Sequence, residues 1–307
     1  MKRKQYMIER LVYYLNNNII MKRNNYIGYI VTFFMLVLVS CAGVEEPEEE
    51  IQHLNISVYI DLSDRIDNGK KLLSPSQMSR DTAIINYLAD YLKEETIGPN
   101  ILKSKNSMRI FFYPAPKDEN ISALSRKLVV DVAKKQGRDK RIAVENMKQN
   151  FDTTLAYIYD KTIHANDWPG ADIWDFFNSG AVDDYCIKEN ARNILVILTD
   201  GELYHKDNKD IHPIKKDGKN GYNYILSDVI RDPKAYLRTD REGKLSGKGL
   251  EVLMLEINPD PQKKGKIRQL IGDWFESMGI EKYRIYETNP AFSSTEMRIE
   301  KFLDNSN

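Results

Sequence analysis

The sequence has few of the residues that build disulfide frameworks or soft-metal centres. Among 307 residues there are two cysteines, Cys41 and Cys186, and four histidines. At most one disulfide is therefore available, and the fold has to be stabilised by its hydrophobic core. Cys186 has no His/Asp company in the sequence and is interpreted as an apolar core residue rather than a nucleophile. The histidines do not show the spacing of zinc ligands; they are His53, His164, His205 and His212.

Several motifs that identify common enzyme classes are also absent. There is no Walker phosphate loop, no Gly-x-Ser-x-Gly elbow and no Gly-x-Gly-x-x-Gly fingerprint. A phosphatase of the haloacid dehalogenase type would need a second aspartate two residues after Asp61, where this chain has Ser63. The formal net charge is zero, and residues 1–40 hold six Lys/Arg against one Glu, so the remainder is mildly acidic. A nucleic-acid partner, which requires a strongly basic domain, is not expected.

Residues 21–41 are organised like a bacterial lipoprotein signal. Lys22 and Arg23 form a positive start, residues 27–39 form an apolar run, and Leu-Val-Ser-Cys41 matches a lipobox. The alternative is a transmembrane anchor, but a spanning helix needs about 20 apolar residues. We therefore expect residues 1–41 to be a signal peptide, with Cys41 lipidated and the protein anchored to the bacterial outer membrane.

The chain on either side of this signal supports the same interpretation. Met21 opens an ordinary signal better than Met1, so residues 1–20 are interpreted as a gene-start extension. Residues 42–51 form an acidic tether without core-forming side chains. The tether resembles the acidic tracts of surface-exposed lipoproteins in Bacteroidetes-type bacteria; the alternative is a plain spacer. The folded domain is expected over residues 52–305.

Two stretches of this domain share one pattern, an apolar run that breaks abruptly into oxygen-bearing side chains. Residues 56–60 are followed by Asp61 and Ser63, and residues 194–198 are followed by Thr-Asp200-Gly-Glu. In an open α/β sheet, ligands bind in the crevice outside the carboxyl ends of the strands. If the two strands are neighbours, these side chains converge. Hard oxygen ligands of this kind suit Mg²⁺, Mn²⁺ or Ca²⁺.

The two motifs, in this order, resemble the von Willebrand factor type A domain. That family carries a metal-ion-dependent adhesion site built from an Asp-x-Ser-x-Ser loop, a Thr in a middle loop and an Asp before Gly. Asp61, Ser63 and Asp200 match three of these positions. The resemblance implies that they bind Mg²⁺ or another divalent cation, and that an acidic residue of a protein ligand fills an open position on the ion.

Two positions of the family motif are less regular here. Thr153 is the candidate for the middle-loop ligand, with Asp152 as the alternative. The third position of the first loop is Arg65 instead of Ser. Its guanidinium either swings away from a retained metal, because like charges in a cleft repel, or replaces the metal by bridging Asp61 and Asp200 as an ion pair.

Alternation of strands and helices predicts a Rossmann-like three-layer sandwich, with a mostly parallel central sheet flanked by helices. Residues 56–60 and 194–198 should lie side by side in its middle, because both are apolar without alternation. The segment Leu203–Gly249 is expected to be an insertion beside the site that contributes partner recognition. The other predicted strands are Met108–Tyr113, Leu128–Val132, Leu250–Ile257 and Tyr283–Tyr286, with a helix as the alternative for the short run Leu128–Val132. The predicted helices are Asp81–Lys93, Arg138–Gln149, Thr153–Ile163, one within Trp168–Tyr185, Lys264–Met278 and Thr295–Leu303.

Together these features predict a cell-envelope lipoprotein that binds a protein partner through a degenerate metal-ion-dependent adhesion site. One alternative is a structural lipoprotein whose metal site is dead. The other is a metal-dependent hydrolase using Asp61 and Asp200, which would require a general base or nucleophile within reach of the site.

We predict that the mature protein begins at lipidated Cys41. Mass spectrometry of the membrane-extracted protein should give a first residue 41 carrying acyl chains, because several chains are needed for stable anchoring. Recovery of an intact N-terminus that still includes residues 21–40 would contradict the prediction.

Overall fold

A computed structural model describes residues 52–66, 74–98, 101–165, 168–203, 242–258 and 264–304, together with 10, 13, 215, 216, 219 and 220. The strands are β1 His53–Ile60, β2 Ser107–Phe111, β3 Val129–Asp131, β4 Ala191–Leu198, β5 Lys215–Lys216, β6 Lys219–Asn220, β7 Leu250–Ile257 and β8 Lys282–Glu287. The helices are α1 Gln77–Thr96, α2 Glu119–Ser125, α3 Arg138–Glu145, α4 Met147–Ala165, α5 Ile173–Asn178, α6 Ala181–Cys186, α7 Lys264–Ser277 and α8 Phe292–Leu303.

Six strands form one central sheet in the order β3-β2-β1-β4-β7-β8. All neighbouring pairs run parallel except β2 and β3, which are antiparallel. The two-residue strands β5 and β6 pair only with each other. With helices on both faces, this is an α/β sandwich of Rossmann-like type, and the predicted fold class is confirmed.

The two runs that carry the candidate site lie side by side in the middle of the sheet. Ile56 is paired with Ile194 and Ile60 with Leu198, along an unbroken register between β1 and β4. Both runs are fully buried because parallel strands in the centre of a sandwich are covered on both faces. The prediction of two adjacent central strands is therefore confirmed.

Successive side chains of β1 enter two different cores, as the two-residue period of a strand requires. Val58 and Ile60 belong to the core beneath α1, α4 and α8, which includes Leu88 and Leu155. Tyr59 belongs to the opposite core, beneath α5, α6 and α7. That second core is rich in aromatic rings in edge-to-face contact, which explains the aromatic residues of the segment 168–185. Instead of one extra helix, this segment forms two short ones.

One helix boundary differs from the prediction in a way that matters for the site. Helix α4 begins at Met147, so Asp152 and Thr153 lie within it and neither begins it. Met147 and Phe151 are buried and continue the apolar stripe of Leu155 toward the N-terminus at helical spacing. The sequence interpretation started this helix at Thr153 because Asp152 looks like an N-cap residue.

Some predictions fall outside the described residues. These are the signal peptide with Cys41, the tether, and most of the segment Leu203–Gly249, including its expected role in recognition. Among the residues that are described, no helix combines the length and apolar character needed to cross a membrane.

Helix α1 is attached to the sheet by a buried ion pair as well as by apolar packing. Arg80 donates from Nε and Nη2 to the carboxylate of Glu256 on β7, at 2.7 and 2.8 Å, and both side chains are 1% exposed. Glu256 lies at the irregular end of β7, where its φ is 68°. This left-handed backbone conformation is energetically unfavourable for residues other than glycine. The paired Arg80 keeps Glu256 in this unusual position.

We predict that Glu256→Gln lowers the free energy of unfolding by about 3 kcal/mol, because it leaves the buried Arg80 charge without its partner. Urea unfolding followed by tryptophan fluorescence measures this. The matched control is Asp90→Asn, which breaks a 2.7 Å pair with Lys148 whose side chains are 45% and 50% exposed; its cost should stay below about 1 kcal/mol. Equal costs for the two variants would contradict the prediction.

Candidate functional site

The candidate site forms where β1 and β4 end. The backbone N–H of Asp61 donates to the carbonyl of Leu198 at 3.0 Å, which extends the pairing of the two strands by one residue. Thr199, the next residue after β4, donates from Oγ1 to Asp61 Oδ2 at 3.0 Å. Both side chains are almost completely buried. The first residues after the two central strands are thus in direct contact.

Each of the two loops is held by an aspartate that accepts a backbone hydrogen bond two residues ahead. The N–H of Ser63 donates to Asp61 Oδ1 at 2.8 Å, and the N–H of Glu202 donates to Asp200 Oδ1 at 3.1 Å. The hydroxyl of Ser63 is buried without a hydrogen-bond partner among the described residues. A buried hydroxyl without a partner is uncommon, and its oxygen is available to a ligand, an ion or a water molecule.

The carboxylates of the site repel one another. Burial, followed by the charge of Asp200, raises the pKa of Asp61 to about 6, although Arg65 and the Ser63 N–H oppose the rise. The pKa of Glu202 is raised to about 7 by partial desolvation and then by the charges of Asp200 and Asp61. Glu202 is exposed to solvent. It belongs to the acidic cluster, although the sequence analysis did not select it as a site residue. The site therefore carries more negative charge than its surroundings neutralise.

Arg65 does not bridge the two aspartates. Its Nη2 donates to Asp81 Oδ2 at 2.7 Å, and its Nη1 contacts Asp81 Oδ1 at 3.4 Å. Its Nε donates to the backbone carbonyl of Asp61 at 2.9 Å and lies 3.9 Å from Asp61 Oδ2. Burial would lower the pKa of the guanidinium, but the charge of Asp81 and then that of Asp61 raise it overall. The alternative in which Arg65 replaces the metal by joining Asp61 and Asp200 is wrong; the guanidinium turns away from the site toward α1.

Asp81 is the centre of a buried polar network behind the site. Besides Arg65, it accepts hydrogen bonds from Gln77 Nε2 at 3.0 Å and from the Tyr159 hydroxyl at 2.9 Å. Burial and the charge of Asp81 raise the pKa of Tyr159 well above its usual value, so the hydroxyl remains a donor. Gln77 also reaches Glu256 at 3.4 Å, which connects this network to the Arg80–Glu256 pair. The sequence analysis missed these residues.

A sequence signal for the network did exist. Gln77 and Asp81 precede the apolar residues Ile84, Ile85 and Leu88 at intervals of three and four along α1. Helical periodicity places them on the same buried stripe. Polar residues on a buried stripe need partners, so a network could have been expected there, although its partners could not be named.

Thr153 is not brought to the site. It lies in the second turn of α4 with an exposed side chain, and its Oγ1 donates to the carbonyl of Gln149 at 2.9 Å. The alternative, Asp152, accepts a hydrogen bond from Asn86 on α1 at 3.3 Å. The prediction of Thr153 as a fourth ligand is therefore dropped, because a residue inside a helix and bonded to its preceding turn cannot occupy a middle loop. The segment that does border the first loop contains Gly170, whose N–H donates to the carbonyl of Leu62 at 3.1 Å.

The donors that remain for a cation are the carboxylates of Asp61 and Asp200 and the hydroxyl of Ser63. In the part of the chain that the structure describes, no group of three or more His, Cys, Asp or Glu residues is arranged as a metal centre. Two carboxylates and a hydroxyl nevertheless fit Mg²⁺, which retains several waters and often uses only one or two protein carboxylates. The unpartnered Ser63 hydroxyl and the mutual repulsion of the acids agree with this donor set.

Cys186 offers no nucleophile to this site. The thiol is completely buried, and burial raises its pKa to about 12. A thiol of this kind is a small apolar core residue, as the sequence predicts.

Comparison with protein-family models and with curated proteins gives no match. Solved structures with a similar course of the chain include BatB of Bacteroides thetaiotaomicron, a conserved hypothetical protein (12% identity, TM-score 0.35, 82% of this chain and 99% of BatB). Another is the pilus adhesin SpaC of Lactobacillus rhamnosus GG (14% identity, TM-score 0.42, 84% of this chain and 31% of SpaC). A third is the minor pilin PilB of Streptococcus sanguinis (16% identity, TM-score 0.38, 85% of this chain and 65% of PilB). This chain thus spans about a third of SpaC. Similarities at this level support no inference about function.

We predict that Asp200→Asn stabilises the metal-free protein at pH 7.5 by about 1 kcal/mol and has little effect near pH 4. A raised carboxyl pKa means that stability is fully present below the ordinary value and is lost as pH rises through about 6 for Asp61. Removing the charge of Asp200 lowers the pKa of Asp61 and restores part of the lost stability. Thermal unfolding in EDTA across this pH range is the measurement, with the exposed Asp139→Asn as control. A variant that is less stable at both pH values would count against a repulsive acidic cluster.

Proposed function

We propose that this chain is a lipoprotein of the bacterial outer membrane whose von Willebrand factor type A-like domain binds a protein partner through a degenerate metal-ion-dependent adhesion site. The observation that carries the proposal is the hydrogen bond of Thr199 to Asp61, which joins the loops after β1 and β4; the charge of Asp200, which contributes to the raised pKa of Asp61, agrees with it. The lipid anchor at Cys41 and the outer-membrane location rest on the signal sequence alone.

Asp61, Ser63 and Asp200 are the residues that would hold Mg²⁺ or Mn²⁺. A bound ion would supply an open coordination position for an acidic side chain of the partner protein. Arg65 does not cancel this chemistry, since its guanidinium forms its shortest charged contact with Asp81. With only two carboxylates and one hydroxyl available, the affinity should be modest, and the partner and the ion should strengthen each other's binding.

A second candidate is a closed structural site without metal. Thr199 already occupies one oxygen of Asp61, and Arg65 holds the backbone of the same residue. These contacts would keep the loop in place without a cation. The hydrolase alternative requires a general base within reach of the site, and Glu202, whose pKa is raised to about 7 beside Asp200 and Asp61, is the candidate for that role.

We predict that the wild type binds Mg²⁺ or Mn²⁺ weakly, with a dissociation constant of about 1 mM, by analogy with weak extracellular cation modules. Isothermal titration calorimetry measures it. Asp200→Ala should abolish binding, whereas Asp139→Ala, which removes an exposed carboxylate on α3, should leave it unchanged. The resembling family has a hydroxyl where this chain has Arg65. The paired variant Arg65→Ser/Asp81→Asn tests whether that hydroxyl strengthens metal binding.

The paired variant is necessary because Arg65→Ser alone leaves Asp81 buried and unpaired, at a cost of about 3–5 kcal/mol. Arg65→Ser/Asp81→Asn removes both charges and restores the family's hydroxyl, so it should bind the ion more tightly than the wild type. If neither the wild type nor the paired variant binds metal, and Asp200→Ala mainly lowers stability, the site is the closed structural one.

A further inference from the structure

The loop that carries Asp200 is held by the end of strand β7. The N–H of Thr199 donates to the carbonyl of Leu255 at 3.3 Å, and the N–H of Asn258 donates to the carbonyl of Asp200 at 2.9 Å. Glu256 lies between these two contacts along β7. Its backbone conformation therefore determines how the groups that hold the loop are directed toward it.

The loop also packs closely on β7. Gly201 has a φ of 105°, a conformation that glycine adopts readily and other residues do not. A Cβ atom at this position would lie 3.1 Å from Cγ2 of Ile257. Because the loop has little room to shift against the strand, a change in the course of β7 at residue 256 would move Asp200 with it.

The backbone of Glu256 is in a conformation that an ordinary residue adopts only when its surroundings impose it. Its φ of 68° is left-handed, and among the described residues other than glycine only Asn190 also has a positive φ. Asparagine tolerates such a conformation because its short polar side chain can bond locally, whereas glutamate lacks this advantage. Strained residues are concentrated at sites whose geometry has to be fixed in advance.

Contacts outside the Asp200 loop impose this conformation. Arg80 of α1 binds the carboxylate of Glu256 at 2.7 and 2.8 Å. The hydroxyl of Thr288 donates to the carbonyl of Glu256 at 3.0 Å, and the N–H of Thr288 donates to the carbonyl of Ile257 at 2.9 Å. The side chain is thus anchored to a helix, and the backbone is anchored to the segment that follows β8.

The first loop of the site is held in a corresponding way. Arg65 donates from Nε to the carbonyl of Asp61 at 2.9 Å and is itself bound by Asp81 of α1. Gln77 Nε2 contacts both Asp81 and Glu256, at 3.0 and 3.4 Å. Helix α1 therefore anchors both loops through two buried charge pairs, which fixes one loop relative to the other.

We propose that Glu256 is a positioning residue for Asp200, and that its left-handed backbone, fixed by Arg80, holds the Asp200 loop at the spacing from Asp61 that a divalent cation requires. The inference rests on the proposed function, since the cation is the ligand of that site. Glu256 does not bind the ion, because its carboxylate is 1% exposed and paired with Arg80. The strained backbone is set during folding, so the loop does not have to be ordered when the ion binds.

Two double variants separate the backbone of residue 256 from its charge. Arg80→Met/Glu256→Ala and Arg80→Met/Glu256→Gly both remove the buried ion pair as a whole, so neither leaves one charge unpaired. They differ by one methyl group and by conformational freedom. Glycine adopts a φ of this kind without strain, whereas alanine is destabilised there. We expect the backbone to stay in place in the glycine variant and to relax toward a regular strand in the alanine variant.

The first measurement is amide hydrogen exchange in EDTA. The N–H groups of Asn258 and Thr199, which form the bonds between loop and strand, are the reporters. Both should exchange about tenfold faster in the alanine variant than in the glycine variant, from the usual cost of a left-handed conformation. Val196, in the middle of β4, is the control for global stability. A merely structural role of Glu256 would change all three amides alike.

The second measurement is a Mg²⁺ titration followed by the amide chemical shifts of Gly201 and Glu202. The glycine variant should bind within about twofold of the wild type, and the alanine variant about tenfold more weakly, because binding then has to restore the left-handed backbone. A milder variant, Thr288→Val, removes only the hydroxyl bond to the Glu256 carbonyl. It should speed exchange at Asn258 about fivefold and keeps the test available if the double variants do not fold.

Equal exchange at Asn258 and Thr199 in the two double variants would overturn the proposal, as would faster exchange in the alanine variant with an unchanged Mg²⁺ affinity. A wild type that does not bind Mg²⁺ would instead contradict the proposed function. The exchange rates in EDTA would then still decide whether Glu256 positions the Asp200 loop, so the two failures are distinguishable.

Discussion

The ion pair between Arg65 and Asp81 determines the chemistry of the acidic site. The guanidinium of Arg65, in the third position of the first loop, lies close to the site, with its Nε 3.9 Å from Asp61 Oδ2. Asp81 holds it with a 2.7 Å contact behind the loop, where Asp81 itself is fully buried. In that low-dielectric setting the charge pair is strong, and both members depend on it, because an unpaired charge there is very costly. The acids at the mouth of the site are consequently left with too little positive charge.

This pair also explains why the site has two electrostatic halves. Behind the loop, the two arginines and two acids of the network neutralise each other and are fixed by hydrogen bonds to α1, α4 and β7. In front of it, burial and then the charge of Asp200 raise the pKa values of Asp61 and Glu202. A bound cation would offset this repulsion.

The sequence predicted the parts of this architecture that depend on local pattern. Two uninterrupted apolar runs were enough to place β1 and β4 in the centre, and the polar residues after Ile60 and Leu198 were enough to bring Asp61 and Asp200 together. Arg65 could not be assigned, because its partner is 16 residues away on a helix whose rotation is set by packing. Thr153 was misplaced for a related reason: buried Met147 and Phe151 extend α4 by a turn and a half, which a polar sequence stretch does not reveal. Tertiary packing overrides such local signals.

The parallel arrangement of the strands gives the domain its polarity. Because β1, β4 and β7 run parallel, the loops that follow them all lie at one edge of the sheet. The segments that lead into these strands lie at the opposite edge. Acidic residues therefore accumulate at the first edge, and the loop and helix tied together by Lys140 bring cations to the second. At physiological ionic strength charges separated by the length of the eight-residue β1, about 26 Å, are screened from each other, since the Debye length is about 8 Å. Each edge thus acts electrostatically on its own surroundings.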